Sequence, residues 1–104
     1  MTILINTDNN FTVHENFNSD IKGKLEKELA RFSDYITRVE VHMSDENGHK
    51  KGPEDKKCIL EARMEGKQPI AVSANAGNHE QALQGAIVKL KSSLDSIIGK
   101  MKSH

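Results

Sequence analysis

Five histidines, one cysteine and a dense set of charged side chains are the residues of this 104-residue chain equipped for chemistry. The histidines are His14, His42, His49, His79 and His104. No two of them have the three- or four-residue spacing that puts a pair of ligands on one helix face, and none neighbours Cys58. Zinc therefore has no ligand set here, and solvated histidines are the better reading. Cys58 would be a nucleophile only with an activating base held beside it; at the start of a strand a lone cysteine is more often a small core residue. The run Asp45-Glu46-Asn47-Gly48 offers oxygen ligands, but the twelfth position counted from Asp45 is Lys56, where a calcium loop needs Glu. The chain has no glycine-rich phosphate loop, no nucleophile elbow and no paired carboxylates on a rigid element. An enzyme is poorly supported, and the sequence implies no metal, no cofactor and no small-molecule substrate.

The charges carry more information. Lys24, Lys27 and Arg31 stand at i, i+3 and i+7, which makes them one stripe along a helix. From Ala86 onward four lysines (89, 91, 100 and 102) face a single acid, Asp95. Lys89 and Lys100 lie about three turns apart and share a helix face. Two such helices side by side would flank a groove. Acids interrupt the pattern, with Asp20, Glu26 and Glu28 on the first of these helices. The bare pattern favours solvated amphipathic helices over a phosphate-binding track. Composition agrees, since 15 basic residues balance 15 acidic ones, whereas a nucleic-acid binder usually shows a basic excess.

The elements that must position these residues follow from hydrophobic spacing. Residues 2–6 form a short β-favouring run, stopped by the turn chemistry of Thr7-Asp8-Asn9-Asn10. Phe17, Ile21, Leu25, Leu29 and Phe32 then recur at three- and four-residue steps, the signature of a helix face. Residues 36–43 alternate, with Val39, Val41 and Met43 on one side and Arg38, Glu40 and His42 on the other. Ser44 to Lys57 is polar with two glycines and one proline, and predicts a long mobile hairpin loop. Residues 58–64 and 69–75 give two further strands, the last with Ile70, Val72 and Ala74 on its buried side. Asn78 caps a final helix with Gln81 three residues on. Leu83, Ile87, Leu90, Leu94, Ile97 and Met101 keep the helical period from there. The expected architecture is α+β, a β-α-β-β-β-α two-layer sandwich with both helices on one face of a four-stranded, mostly antiparallel sheet.

Bulk properties fit one domain over residues 1–104. Aromatics are 4% of the chain with no tryptophan, so the core must be aliphatic, and a large enclosed cavity is not expected. One cysteine excludes an internal disulfide and suits a reducing compartment. The N-terminus is too polar for a signal peptide, and no apolar run approaches the ~18 residues of a membrane span. A soluble cytoplasmic protein is the plain expectation.

In order along the chain, these residues resemble the ribosome hibernation-promoting factor family, also called ribosome-associated inhibitor or sigma-54 modulation proteins. The resemblance includes the opening strand with Asn9-Asn10, a first helix with Lys24 and Lys27, Phe32 near that helix's end, and Ile36-Thr37-Arg38-Val39. It continues through Ala82-Leu83, Gly85-Ala86-Ile87, Lys89-Leu90, Leu94 and Lys100-Met101-Lys102. It covers essentially all 104 residues and is to the short form, since the sequence stops with the last helix. The combination is informative, although no single motif is diagnostic. The resemblance implies binding to the small subunit of idle ribosomes, in the channel of mRNA and tRNA, with translation blocked and the ribosome held inactive. It implies ribosomal RNA phosphates as the ligand of Lys22, Lys24, Lys27 and Arg31 on the first helix and of Lys89 and Lys91 on the last. The chain departs from the family at Glu80, where an aromatic is common, and at Ser92, Ser93, Ser96 and Ile97, where basic residues are frequent. The alternative is a protein-interaction module on the same fold, acting through the 44–57 loop.

Overall fold

The computed structural model describes residues 1–7, 17–45 and 56–102. In chain order these form β1 (Thr2–Thr7), α1 (Phe17–Glu28), a short 3-10 turn (Ala30–Phe32), β2 (Ile36–Asp45), β3 (Lys56–Met64), β4 (Ile70–Ala76) and α2 (His79–Lys102). The order is the expected β-α-β-β-β-α. The sheet runs β1-β2-β3-β4, with β1 parallel to β2 and the other two pairings antiparallel.

Alternation along each strand sets which face is buried. Ile5, Val41, Leu60 and Val72 are register partners across all four strands, as are Thr7, Met43, Cys58 and Ala74 in the next inward row. Val39, Val41, Leu60, Ala62 and Cys58 have no exposed surface. Against this face lie Ile21, Leu25 and Leu29 from the first helical segment and Leu83, Ile87, Leu90, Leu94 and Ile98 from α2, all in one core. Burying a leucine of this kind stabilises the fold by about 1.5–3 kcal/mol. Phe32 closes one end of that core from the 3-10 turn.

Three details differ from the sequence expectation. The first helix does not continue smoothly to Phe32: it tightens after Glu28, and Phe32 N–H donates to the Leu29 carbonyl at 2.9 Å. Near the end of α2 Ile98 is buried while Ile97 is only half-buried, so the apolar stripe drifts by one residue. The expected 44–57 loop is shorter than its sequence limits. Ser44 pairs with Lys57 and Asp45 with Lys56 in the β2–β3 ladder, and Lys56 Nζ sits 2.9 Å from Asp45 Oδ2. Opposite charges directly across an antiparallel pair favour continued pairing, and this outweighs the polar composition that marked those residues as loop. Residues 46–55 lie outside the described residues, and so do His14, His49, His104 and the Asn9-Asn10 turn.

Two glycines answer to local geometry. Gly66 has φ +75° in a four-residue turn closed by Lys67 N–H to the Met64 carbonyl at 3.1 Å, a position that other residues rarely adopt. At Gly85 a Cβ would stand 3.0 Å from the Ala74 Cβ, so α2 approaches β4 more closely there than a side chain allows. The start of α2 is capped as expected, with Asn78 Oδ1 accepting the Gln81 N–H at 2.8 Å.

Gly85→Val should therefore push α2 off β4 and cost about 1–3 kcal/mol by overpacking. A thermal unfolding scan would show a midpoint several degrees lower. Pairing the change with Ala74→Gly should recover part of the loss, and no recovery would mean that the contact is not the cause.

Candidate nucleic-acid interface

The two helices lie side by side and run parallel, and their cross-contacts establish this. The Phe17 ring meets His79 edge-on at 6.2 Å, Glu28 meets Lys91, Arg31 meets Asp95, and Lys102 stands 5.8 Å over the Tyr35 ring. Each contact advances together along α2 and along the segment that runs from α1 through the 3-10 turn to Tyr35. The core stripes of the helices face the sheet, which leaves a surface seam between them.

Helical geometry then divides the six cations expected to hold phosphate. Residues two apart lie about 160° around a helix from one another. Lys24 faces the seam, where it lines one hollow with Glu80, Gln81, Leu83 and Gln84. Lys22 is thereby on the flank of α1 away from α2. Arg31 and Lys91 reach across the seam. Lys89 lies on the far flank of α2, where its Nζ donates to the Ser73 carbonyl of β4 at 2.7 Å. The structure thus gathers Lys24, Arg31 and Lys91 on the seam, with Lys27 exposed beside them, and places Lys22 and Lys89 on opposite outer flanks.

Two of the seam cations already have counter-ions. The Arg31 guanidinium forks onto Asp95, with Nη1 at 2.7 Å from Oδ1 and Nη2 at 3.1 Å from Oδ2. Lys91 Nζ is 3.2 Å from Glu28 Oε1. The hydrogen bond and charge of Lys91 hold the Glu28 carboxyl below its ordinary value of 4.5, helped by Lys24 and Lys27. The bond to Arg31 does the same for Asp95, whose ordinary value is 3.8, and Lys91 adds to it. Glu28, Lys91, Asp95 and Arg31 therefore form one chain of alternating charge. Beyond it a second hollow opens, lined by Arg31, Phe32, Tyr35, Asp95, Ile98, Gly99 and Lys102. Lys22, Lys24 and Lys27 make no ion pair or hydrogen bond with their side chains among the described residues.

Sequence reading named Glu28 and Asp95 as interruptions of the basic pattern and missed that they are the partners of Lys91 and Arg31. Lys24 and Glu28, like Lys91 and Asp95, stand at i, i+4 on one helix face, a spacing visible in the sequence. What was not visible was the alignment that sets Glu28 against Lys91 and Asp95 against Arg31, which depends on how two distant segments pack. The outer sheet face is also charged. Arg63 lies 3.1 Å from Glu61 and 3.9 Å from Glu40, and Arg38 lies 3.8 Å from Glu40. Among the described residues no group of three His, Cys, Asp or Glu is placed to hold a metal ion, and no helix is long and apolar enough to cross a membrane.

Fold and surface together define a class: a small α+β domain whose two parallel helices form a charged seam over a four-stranded mixed sheet. Within that class the chain belongs to the family described as Sigma 54 modulation protein / S30EA ribosomal protein, whose pattern matches residues 4–102. Among solved structures, the fold is similar to the Protein Y N-terminal domain of Thermus thermophilus, with a TM-score of 0.71 and 15% identity over 93% of this chain and 99% of that one. It is likewise similar to a ribosomal subunit interface protein from Coxiella burnetii, with a TM-score of 0.72 and 16% identity over 95% and 99% of the two chains. At such identities the likeness is one of fold. No curated protein matches the chain by sequence comparison.

Two measurements check the electrostatics. Both carboxyls have native pKa values below their ordinary ones, so their contribution to stability is complete above pH 4.5 and disappears as the pH falls through the lowered native values. Asp95→Asn should lower the urea midpoint at neutral pH, and the gap to wild type should close in acid. A gap independent of pH would refute the pairing as its source. Burial also pushes the Cys58 thiol up to about 12, so it is a protonated core group at neutral pH. A thiol reagent should label Cys58 only at the rate of global unfolding; fast labelling of the native protein would contradict its position between Met43 and Ala74.

Proposed function

We propose that this chain is a ribosome-associated factor that binds the small subunit in the mRNA and tRNA channel and keeps idle ribosomes inactive. The observation that carries the reading is the family match over residues 4–102. The solved relative described as a ribosomal subunit interface protein supports it through the shared fold. A ribosomal partner places the protein in the cytoplasm.

The mode of action is occupancy. No bond need be made or broken: a compact domain held in the channel excludes the ligands that translation requires. Lys24 and Lys27 are the phosphate anchors on α1, since both are exposed and neither side chain is held in an ion pair or hydrogen bond among the described residues. Arg31 and Lys91 add to them where RNA phosphates displace Asp95 and Glu28. Lys22 and Lys89 contact separate strands, because α1 and α2 point them to opposite sides. Phosphate contacts fix position without reading sequence, so the shape of the rRNA surface supplies specificity.

Purified protein should sediment with small subunits at low salt and be released as salt rises. Lys24→Glu with Lys27→Glu should weaken binding by about tenfold or more and reduce the salt slope by about one for each lysine. A wild-type chain that stays in the top fractions at low salt would overturn the proposal.

A further inference from the structure

The seam holds two of its cations in internal ion pairs, and this has a bearing on which polyanions bind. We propose that Glu28 and Asp95 are specificity-determining residues: built-in counter-ions that deny Arg31 and Lys91 to generic polyanions and yield them to a folded RNA surface. The inference rests on the reading of the chain as a small-subunit binder and deepens it.

The geometry supports each part. Arg31 and Asp95 are joined by two bonds in a planar fork, the arrangement that a phosphate would otherwise take. Their side chains are 57% and 53% exposed, so the pair stands at the surface where an incoming phosphate meets it. Lys91 and Glu28 form the second pair one turn away, at 32% and 28% exposure. A ligand of phosphates alone can take the two cations only by leaving two carboxylates facing its own negative charge. Like charges brought together in this way cost affinity for the wrong partner.

A folded RNA surface differs in what it offers beside the phosphate. Its 2′-hydroxyls and base amino groups are hydrogen-bond donors, and a carboxylate is an acceptor. Glu28 and Asp95 can therefore exchange their cations for RNA donors, while Arg31 and Lys91 exchange carboxylates for phosphates. DNA lacks the 2′-hydroxyl, and a flexible single strand does not present donors and phosphates at fixed positions. The seam thus discriminates by requiring both kinds of group together, and Lys24 and Lys27 supply the attraction that is common to all polyanions.

The test compares Glu28→Gln, Asp95→Asn and a control, Glu26→Gln, each removing one negative charge. Glu26 is exposed on α1 and takes part in no ion pair or hydrogen bond of its side chain among the described residues. Binding would be measured to purified small ribosomal subunits and to a mixed-sequence single-stranded DNA, across a salt series. Asp95→Asn and Glu28→Gln should each raise affinity for the DNA by about three- to tenfold and steepen its salt slope by about 0.7, one freed cation's share on a single strand. Affinity for small subunits should change by less than about twofold or fall, so that the preference for subunits narrows. Arg31→Gln combined with Asp95→Asn should lose the gain on DNA. The inference is overturned if Glu26→Gln raises DNA binding as much as Asp95→Asn, which would be a net-charge effect. It is equally overturned if Asp95→Asn strengthens subunit and DNA binding alike. A wild-type chain with no preference for subunits over DNA would instead bring down the small-subunit reading, and the selectivity with it. Thermal unfolding of each variant separates these outcomes from loss of fold.

Discussion

With three phenylalanines, one tyrosine and no tryptophan, the chain closes its core by interleaving aliphatic side chains from one sheet face and two helix stripes. That layer dictates the rest. A β-strand followed by a helix and a parallel strand returns the chain to the same end of the sheet, so α1 runs against β1 and β2. Two antiparallel hairpin steps then bring the chain back to start α2 at the end where α1 began. The helices must lie parallel, so each contact across the seam is followed by another further along both segments at nearly the same sequence offset. This holds even where the first segment tightens into the 3-10 turn that carries Arg31. Glu28–Lys91 and Arg31–Asp95 are separated by 63 and 64 residues for this reason. The seam's charge pairs are a consequence of topology as much as of residue choice.

This gives the zero net charge a structural meaning. Charges of opposite sign are placed against one another at three sites: across the helix seam, over the open face of the sheet among Arg38, Glu40, Glu61 and Arg63, and where Asp45 meets Lys56. Exposed pairs of this type contribute little to stability individually. Their effect is to set opposite charges against one another locally, which leaves cations outside such pairs open to external anions. A balanced composition is thus compatible with exposed lysines, Lys24 and Lys27, whose ammonium groups are not held in an ion pair among the described residues.

The sequence alone carried the fold well because the apolar spacing changes cleanly from about 3.6 to 2 and back. Val39, Val41 and Met43 alternate, and Leu83, Ile87, Leu90 and Leu94 step by three and four, leaving little ambiguity. Boundaries were less legible where charge pairing overrode composition, as at Asp45 and Lys56, or where a helix tightened to seat Phe32. The candidate site was legible as a set of residue types and much less as a surface. Lys22 and Lys24, or Lys89 and Lys91, are neighbours in sequence yet face opposite ways. Which flank met the other helix depended on packing between segments more than sixty residues apart. The function class came from the ordered likeness to a family, because neither charge balance nor any motif carries it.

Lys89 illustrates how one cation can serve the protein itself. Its ammonium occupies the Ser73 carbonyl on β4, the last strand of the sheet, whose outer side has no strand partner among the described residues. An unpaired strand border is a template on which another chain can add, and a lysine laid over it is a recurrent means of preventing this. Through Lys89, α2 therefore covers one point of that border as well as forming a layer of the core. A protein without net charge lacks the long-range repulsion that keeps many proteins dispersed. In this chain, Lys89 is a short-range guard on the β4 border.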